Sequence, residues 1–192
     1  PGIYYGLGQL ATSSLTTSLN SWNHIAYSRA SGTLRIFVNG ANGYTASSTT
    51  NFGSSQQLLV GNNVSGANPF NGYVSNLKIV KGQGIYTSAF TPQAVPFTAN
   101  SSTTFLLNSV NAGIIDNTAK NNITTIGGAS IVSSPAKFGS GVMSFNGTNS
   151  AVAAPYVSSF HSFHLSDFTI ECWLYPLSYT GMIDGASTNS TL

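Results

Sequence analysis

The chain has 192 residues, 41% hydrophobic, 11% aromatic and only 5% charged, with a formal charge of +2. That balance excludes disorder, which combines low hydrophobicity with high net charge. Its six basic residues are scattered, with no cluster able to track a phosphate backbone, so nucleic acid is not an expected partner. No stretch approaches the ~18 consecutive apolar residues of a membrane helix, so membrane insertion is not expected, and the opening PGIYYGLG lacks the regions of a signal peptide. Starting at Pro1 without Met, the chain reads as part of something longer. Ser, Thr, Asn and Gly supply the polarity, which suits a turn-rich β protein outside the cytoplasm or in an assembled particle. The length allows one all-β sandwich or two small domains.

In chain order, Ile3 to Gly8 alternates weakly and is expected as a strand, with a Ser/Thr loop from Thr12 to Asn20. Trp22 to Tyr44 then reads as a β-meander: Trp22 to Arg29 and Thr33 to Val38 are strands, with Ser31-Gly32 between them and Asn39-Gly40 after them. Asn-Gly fits a two-residue turn that needs φ > 0 at both central positions. Leu34, Ile36 and Val38 fall on one face of the second strand, and Arg35, Phe37 and Asn39 on the other. A small polar run follows Tyr44, then a short strand at Leu58 to Gly61 and a long one at Phe70 to Val80. The stretch KGQGIYTSAFTPQAVPFTANSS, with two prolines, is expected to run along the surface as a connector, and an internal boundary falls near Asn100.

Beyond it, strands are expected at Thr103 to Leu107, Ala129 to Val132, Val142 to Phe145, Ala151 to Val157, Phe168 to Tyr175 and Met182 to Asp184. Asn146-Gly147 marks a turn. Cys172 is the single cysteine, on the same strand face as Phe168, Ile170 and Leu174, and is expected as a buried thiol.

The runs WNHIAYSR, TLRIFVNG, FNGYVSNLKIVKG (Phe70 to Gly82) and YTSAFTP (Tyr86 to Pro92) resemble the second half of a laminin-G-like module of the concanavalin A-like lectin and glucanase superfamily. TTFLLN (Thr103 to Asn108), KFGSGVMSFNGTNS (Lys137 to Ser150) and DFTIECWLYP (Asp167 to Pro176) resemble its first half. The resemblance implies an all-β, concanavalin A-like jelly-roll sandwich of two antiparallel sheets. Residues 1–98 would be its second half and 103–192 its first, in exchanged order; joining Leu192 to Pro1 would restore the family order. The favoured arrangement is one permuted sandwich sharing a core, and the alternative is parts of two modules in a repeat array.

The superfamily includes glycoside hydrolases, which need a pair of suitably spaced carboxylates. Only Asp116, Asp167, Glu171 and Asp184 are acidic, and none forms the glucanases' cluster, so no catalytic residue is expected. Where relatives carry acidic residues for Ca²⁺, this chain has Ser75 and Asn76; His24, His161 and His164 lack zinc-ligand spacing. No metal or cofactor is expected. Neutral sugars are recognised by aromatic platforms with amide and hydroxyl partners, and Tyr44, Asn62, Asn63 and Tyr73 are the candidates for that role. Near-absent charge and few cysteines make the module similar to those of bacterial-virus virions: tail fibres, spikes and head decorations. The expectation is a non-enzymatic adhesion module, located in a virion or extracellularly. Its partners would be a glycan or host-surface receptor and other virion subunits, in a homo-oligomer. The alternatives are a purely structural spacer or decoration and, disfavoured, a glycoside hydrolase.

Overall fold

Two left-handed turns set the register of the main sheet. Ser31 and Gly32 have φ of 47° and 73°, and Asn39 and Gly40 have 51° and 80°, which is what a two-residue hairpin loop requires. They join β3 (Asn23–Ala30), β4 (Thr33–Val38) and β5 (Ala41–Ser47). This computed structural model describes the chain except residues 6–7, 54–56, 64, 110–112, 158–161, 179–182 and 186–192, and gives only the backbone at 4–5, 8–9 and 183–185.

The remaining strands are β1 (Gly2–Tyr5), β2 (Gly8–Thr12), β6 (Leu58–Val60), β7 (Asn71–Lys81), β8 (Thr103–Leu107), β9 (Thr124–Ile126), β10 (Ser130–Val132), β11 (Val142–Asn146), β12 (Ala151–Ala154), β13 (Phe168–Pro176) and β14 (Ile183–Gly185). The described residues contain no helix, and every ladder is antiparallel. The main sheet runs β10-β11-β7-β13-β3-β4-β5, with β8 also on β7. A second sheet runs β14-β6-β12-β9, and β1 and β2 pair apart from both.

Alternation gives each strand of the main sheet an inner and an outer face. The inner face, with Ile25, Leu34, Ile36, Val74, Ile79, Phe168, Ile170 and Cys172, shares one buried cluster with Leu58, Val60, Val152 and Ala154 of the second sheet. This is a two-sheet sandwich, and its core draws on both parts of the chain. Arg29 ends the inner face of β3 at 1% exposure. Its guanidinium donates to the carbonyls of Thr50 (2.6 Å), His164 (2.6 Å) and Ser166 (2.7 Å), and lies over the rings of Phe52 and Phe168. Carbonyl dipoles and ring faces thus offset the cost of burying its charge.

Several elements differ from the sequence expectation. The expected first strand, Ile3 to Gly8, is instead divided between two antiparallel strands, β1 and β2. The small polar run after Tyr44 continues as β5 through Ser47, and a strand β9 lies in the Asn-rich turn region; both are edge strands, β9 with exposed side chains and β5 with exposed ones alternating with partly buried Tyr44 and Ala46, and both are held chiefly by backbone pairing. The strand expected to reach Val157 stops at Ala154, before Pro155. Met182 and His161 lie outside the described residues.

The two hairpin glycines differ in one respect that can be measured. A Cβ on Gly32 meets nothing within 4 Å, whereas one on Gly40 would run into the Phe90 carbonyl, and Phe90 N–H donates to Gly40 O at 3.0 Å. Gly32→Ala should therefore cost only left-handed strain, about 1 kcal/mol, and Gly40→Ala distinctly more. Chemical denaturation of the two variants checks this, and equal costs would contradict the seating of Phe90 on the turn.

Candidate functional site

The outer face of the main sheet is divided in two. Its larger part carries Ser28, Glu171, Thr169 and His24 among apolar neighbours, all buried, so each polar group there needs a partner. The connector, residues 82–102, supplies several. Ile85 N–H donates to Thr169 Oγ1 (2.7 Å), Tyr86 N–H to Ser28 Oγ (3.3 Å), Tyr86 Oη to Glu171 Oε2 (2.6 Å) and Phe97 N–H to Asn76 Oδ1 (2.9 Å). Phe90 stacks on Tyr86 at 3.6 Å and meets Phe37 edge-on at 5.3 Å, while Phe97 packs with Leu106 and Trp173. The connector does run along the surface, but it also roofs this face.

Beneath it, His24 Nε2 lies 3.3 Å from Glu171 Oε2, with exposures of 0% and 2%. The rings of Tyr86, Phe90, Phe97 and Trp173 surround the imidazole. Burial and then the Glu171 carboxylate push the Tyr86 phenol well above its ordinary value. The group is sealed from substrate and pins the connector.

At the end of the face where these hydrogen bonds stop, a row of rings is half-exposed. Tyr73 of β7 is directly opposite Tyr175 of β13, with ring centroids 5.7 Å apart at 70°. Trp22, just before β3, meets Tyr175 at 5.5 Å and 68°. Ser144 of β11 is paired with Tyr73, and Asn71 precedes Tyr73 by two on the same face of β7. One row across four strands thus offers three aromatic rings and a hydroxyl, with an amide beside it. In the adjacent row Trp173 packs against Phe138, and the Lys137 ammonium sits 3.8 Å from its ring centroid.

Of the residues selected from the sequence, only Tyr73 stands in this row. Tyr44 lies on β5 opposite Ile36 and packs against the inner core. Asn62 is buried with its Oδ1 accepting Asn63 N–H, and Asn63 Oδ1 accepts from Ser65 Oγ and Ala67 N–H, so both shape the loop after β6. Trp22 and Tyr175 stand out in the sequence only as parts of strand motifs. Their alternation was visible; their adjacency depends on the pairing of β3 with β13.

Residues 4–95 match the family model of the concanavalin A-like lectin/glucanases superfamily. No curated protein and no solved structure matches the chain. The match indicates a carbohydrate-binding or adhesion-type module, and because the superfamily also holds glucanases, the carboxylates must be weighed individually. Glu171 is sealed. Asp167 lies four residues before it, roughly 13 Å along an extended strand, beyond the ~6.5–9.5 Å of an inverting pair, and accepts Ser31 N–H. Asp116 is 3% exposed and accepts from Leu106 N–H, Thr118 N–H and Oγ1, and Asn121 N–H and Nδ2. Among the described residues no three of His, Cys, Asp and Glu gather as metal ligands. Asn76, at the position considered for calcium, instead holds Phe97.

Two outcomes follow from these groups. Tyr86→Phe removes a hydrogen bond to a buried carboxylate and should cost about 2 kcal/mol; an unchanged unfolding midpoint would show that Glu171 does not hold the connector. At Asp116, burial would raise the carboxyl, but the hydrogen bonds from Thr118, Asn121 and Leu106 outweigh it and hold the group below its ordinary value. A depressed carboxylate contributes stability above its unfolded pKa and loses it as pH falls through the folded one. Asp116→Asn should thus destabilise at neutral pH and differ progressively less from wild type in acid. A cost that stays constant down to about pH 2 would refute that linkage.

Proposed function

We propose that this chain is a non-enzymatic adhesion module of a bacterial-virus virion, in a tail fibre, spike or head decoration, that recognises carbohydrate on a host surface. The observation that carries the sugar reading is the open row of Trp22, Tyr175 and Tyr73 flanked by Ser144 and Asn71. Pyranose rings stack their C–H faces on aromatic rings, and their hydroxyls take hydrogen bonds from neutral amides and hydroxyls. The virion reading is supported by the 5% charge and by a polarity supplied by Ser, Thr and Asn, a surface suited to packing among identical subunits and other virion proteins. On this reading the chain works in the virion or extracellularly, as a homo-oligomer.

A purely structural spacer is the second reading, favoured by the edge strand β9, whose side chains are exposed and whose outer backbone edge could pair with neighbouring subunits. A glycan array separates the two. Under the adhesion reading a defined glycan class binds, and Trp22→Ala or Tyr175→Ala weakens binding roughly tenfold or more, about 1.4 kcal/mol, with the fold intact. No binding anywhere on the array, with assembly of subunits preserved, supports the spacer. The geometry of the three described carboxylates further predicts no reducing-sugar release from any bound polysaccharide; release abolished by Glu171→Gln would overturn the non-enzymatic reading.

A further inference from the structure

We infer that the aromatic row receives an extended chain of uncharged, equatorially linked sugars lying across the strands, and not a single terminal sugar. The inference rests on the carbohydrate reading of this same row. Tyr175 and Tyr73 lie on the adjacent strands β13 and β7, Trp22 immediately precedes β3 on the other side of β13, and the spacing from ring to ring is 5.5 Å and then 5.7 Å. Adjacent strands are ~4.8 Å apart, which puts the outer two backbones ~10 Å apart. The two outer rings are inclined to Tyr175 by nearly the same angle, 68° and 70°.

An extended pyranose chain with equatorial linkages advances by about one strand spacing per sugar, and with a twofold screw it presents the same face at every second unit. Sugars over Trp22 and Tyr73 would then be next-nearest neighbours in one chain. The sugar between them would meet Tyr175, which is steeply inclined to both neighbours. Ser144, in register with Tyr73 on the next strand, continues the line with a hydroxyl, and Asn71 flanks it with an amide. A terminal-sugar site has a different form, a concavity with convergent polar groups; here the contacts are strung out along a sheet face. The row itself carries no charged side chain, and the Lys137 ammonium beside it is engaged with the Trp173 indole, which points to a neutral ligand.

The test is calorimetric titration of the intact chain with neutral β-linked oligosaccharide series of glucose, mannose and N-acetylglucosamine, from monosaccharide to hexasaccharide. The expected result is a steep rise in affinity between disaccharide and tetrasaccharide in one series, then a plateau. Trp22→Ala and Tyr73→Ala should each bring the tetrasaccharide down to near disaccharide affinity, roughly tenfold or more, while leaving the disaccharide less affected. Thermal unfolding of each variant confirms folding, and Tyr73→Ala keeps the test decisive if Trp22→Ala unfolds. A monosaccharide that binds as well as the tetrasaccharide overturns the extended-chain inference while the carbohydrate reading of the row stands; glycan binding indifferent to both substitutions overturns the inference and the row as the sugar site together. Failure of every glycan to bind, on the array and in titration, overturns both.

Discussion

The sandwich depends on β13 lying between β3 and β7. One edge of β13 pairs with β3 from Phe168 to Leu174, and the other with β7 from Phe168 to Pro176. Its inner residues Phe168, Ile170 and Cys172 enter the shared core, and its outer residues Thr169, Glu171 and Trp173 are buried too. From Phe168 to Trp173 the strand is buried on both faces and paired on both edges, so its polar side chains depend on protein partners, and of these the Trp173 Nε1 alone has no hydrogen-bond acceptor. That requirement explains much of the surrounding structure, down to the inertness of Cys172, whose thiol is pushed up by burial and then by neighbouring Glu171.

Glu171 and Thr169 on the outer face create a demand that the sheet alone does not meet. The connector meets it: Ile85, Tyr86 and Phe97 bring backbone and phenol donors, and Phe90 and Phe97 bring apolar area to Phe37, His24 and Trp173. Its hydrogen bonds follow the buried polar groups and Gly40, and they end before the row of Trp22, Tyr175 and Tyr73. Aromatic rings with polar rims tolerate a half-wet position where a carboxylate on a central strand does not. The division of one face into a roofed part and an open part therefore follows from which side chains can bear exposure.

Much of the fold was legible in local chemistry. Asn39-Gly40 and Ser31-Gly32 announced hairpins because so few residue types accept positive φ, and β4 and β8 have the limits their β-branched and aromatic runs suggested. What local chemistry could not show was anything held by pairing alone, such as β9, whose Thr124, Thr125 and Ile126 are all exposed. The connector was legible only in part: prolines and small polar residues signal a surface path, and they say nothing about Tyr86, Phe90 and Phe97 turning inward. The candidate site was the least legible. Tyr73 could be singled out as a strand aromatic, but a row perpendicular to the strands is written in register, and Trp22 and Tyr175 come from opposite ends of the sequence.

The family match ends within the connector, at residue 95, and this has a physical consequence. In the matched segment β3 and β7 are not neighbours; between them is a gap one strand wide, about twice the ~4.8 Å spacing from β3 to β7. A sheet with such a gap would leave two rows of backbone groups unpaired and split its core, so the segment requires a strand from elsewhere. Here β13 of the same chain fills it, with β8 and β11 sharing the far edge of β7. We propose that residues 1–98 and 103–192 form one permuted sandwich; the connector that joins them, packed onto the sheet, supports this. The row of rings has the same divided origin: Trp22 and Tyr73 belong to the matched segment and Tyr175 to the strand that completes it. A concanavalin A-like segment of this sequence can thus present two separated rings by itself, and only the inserted strand turns them into a continuous surface.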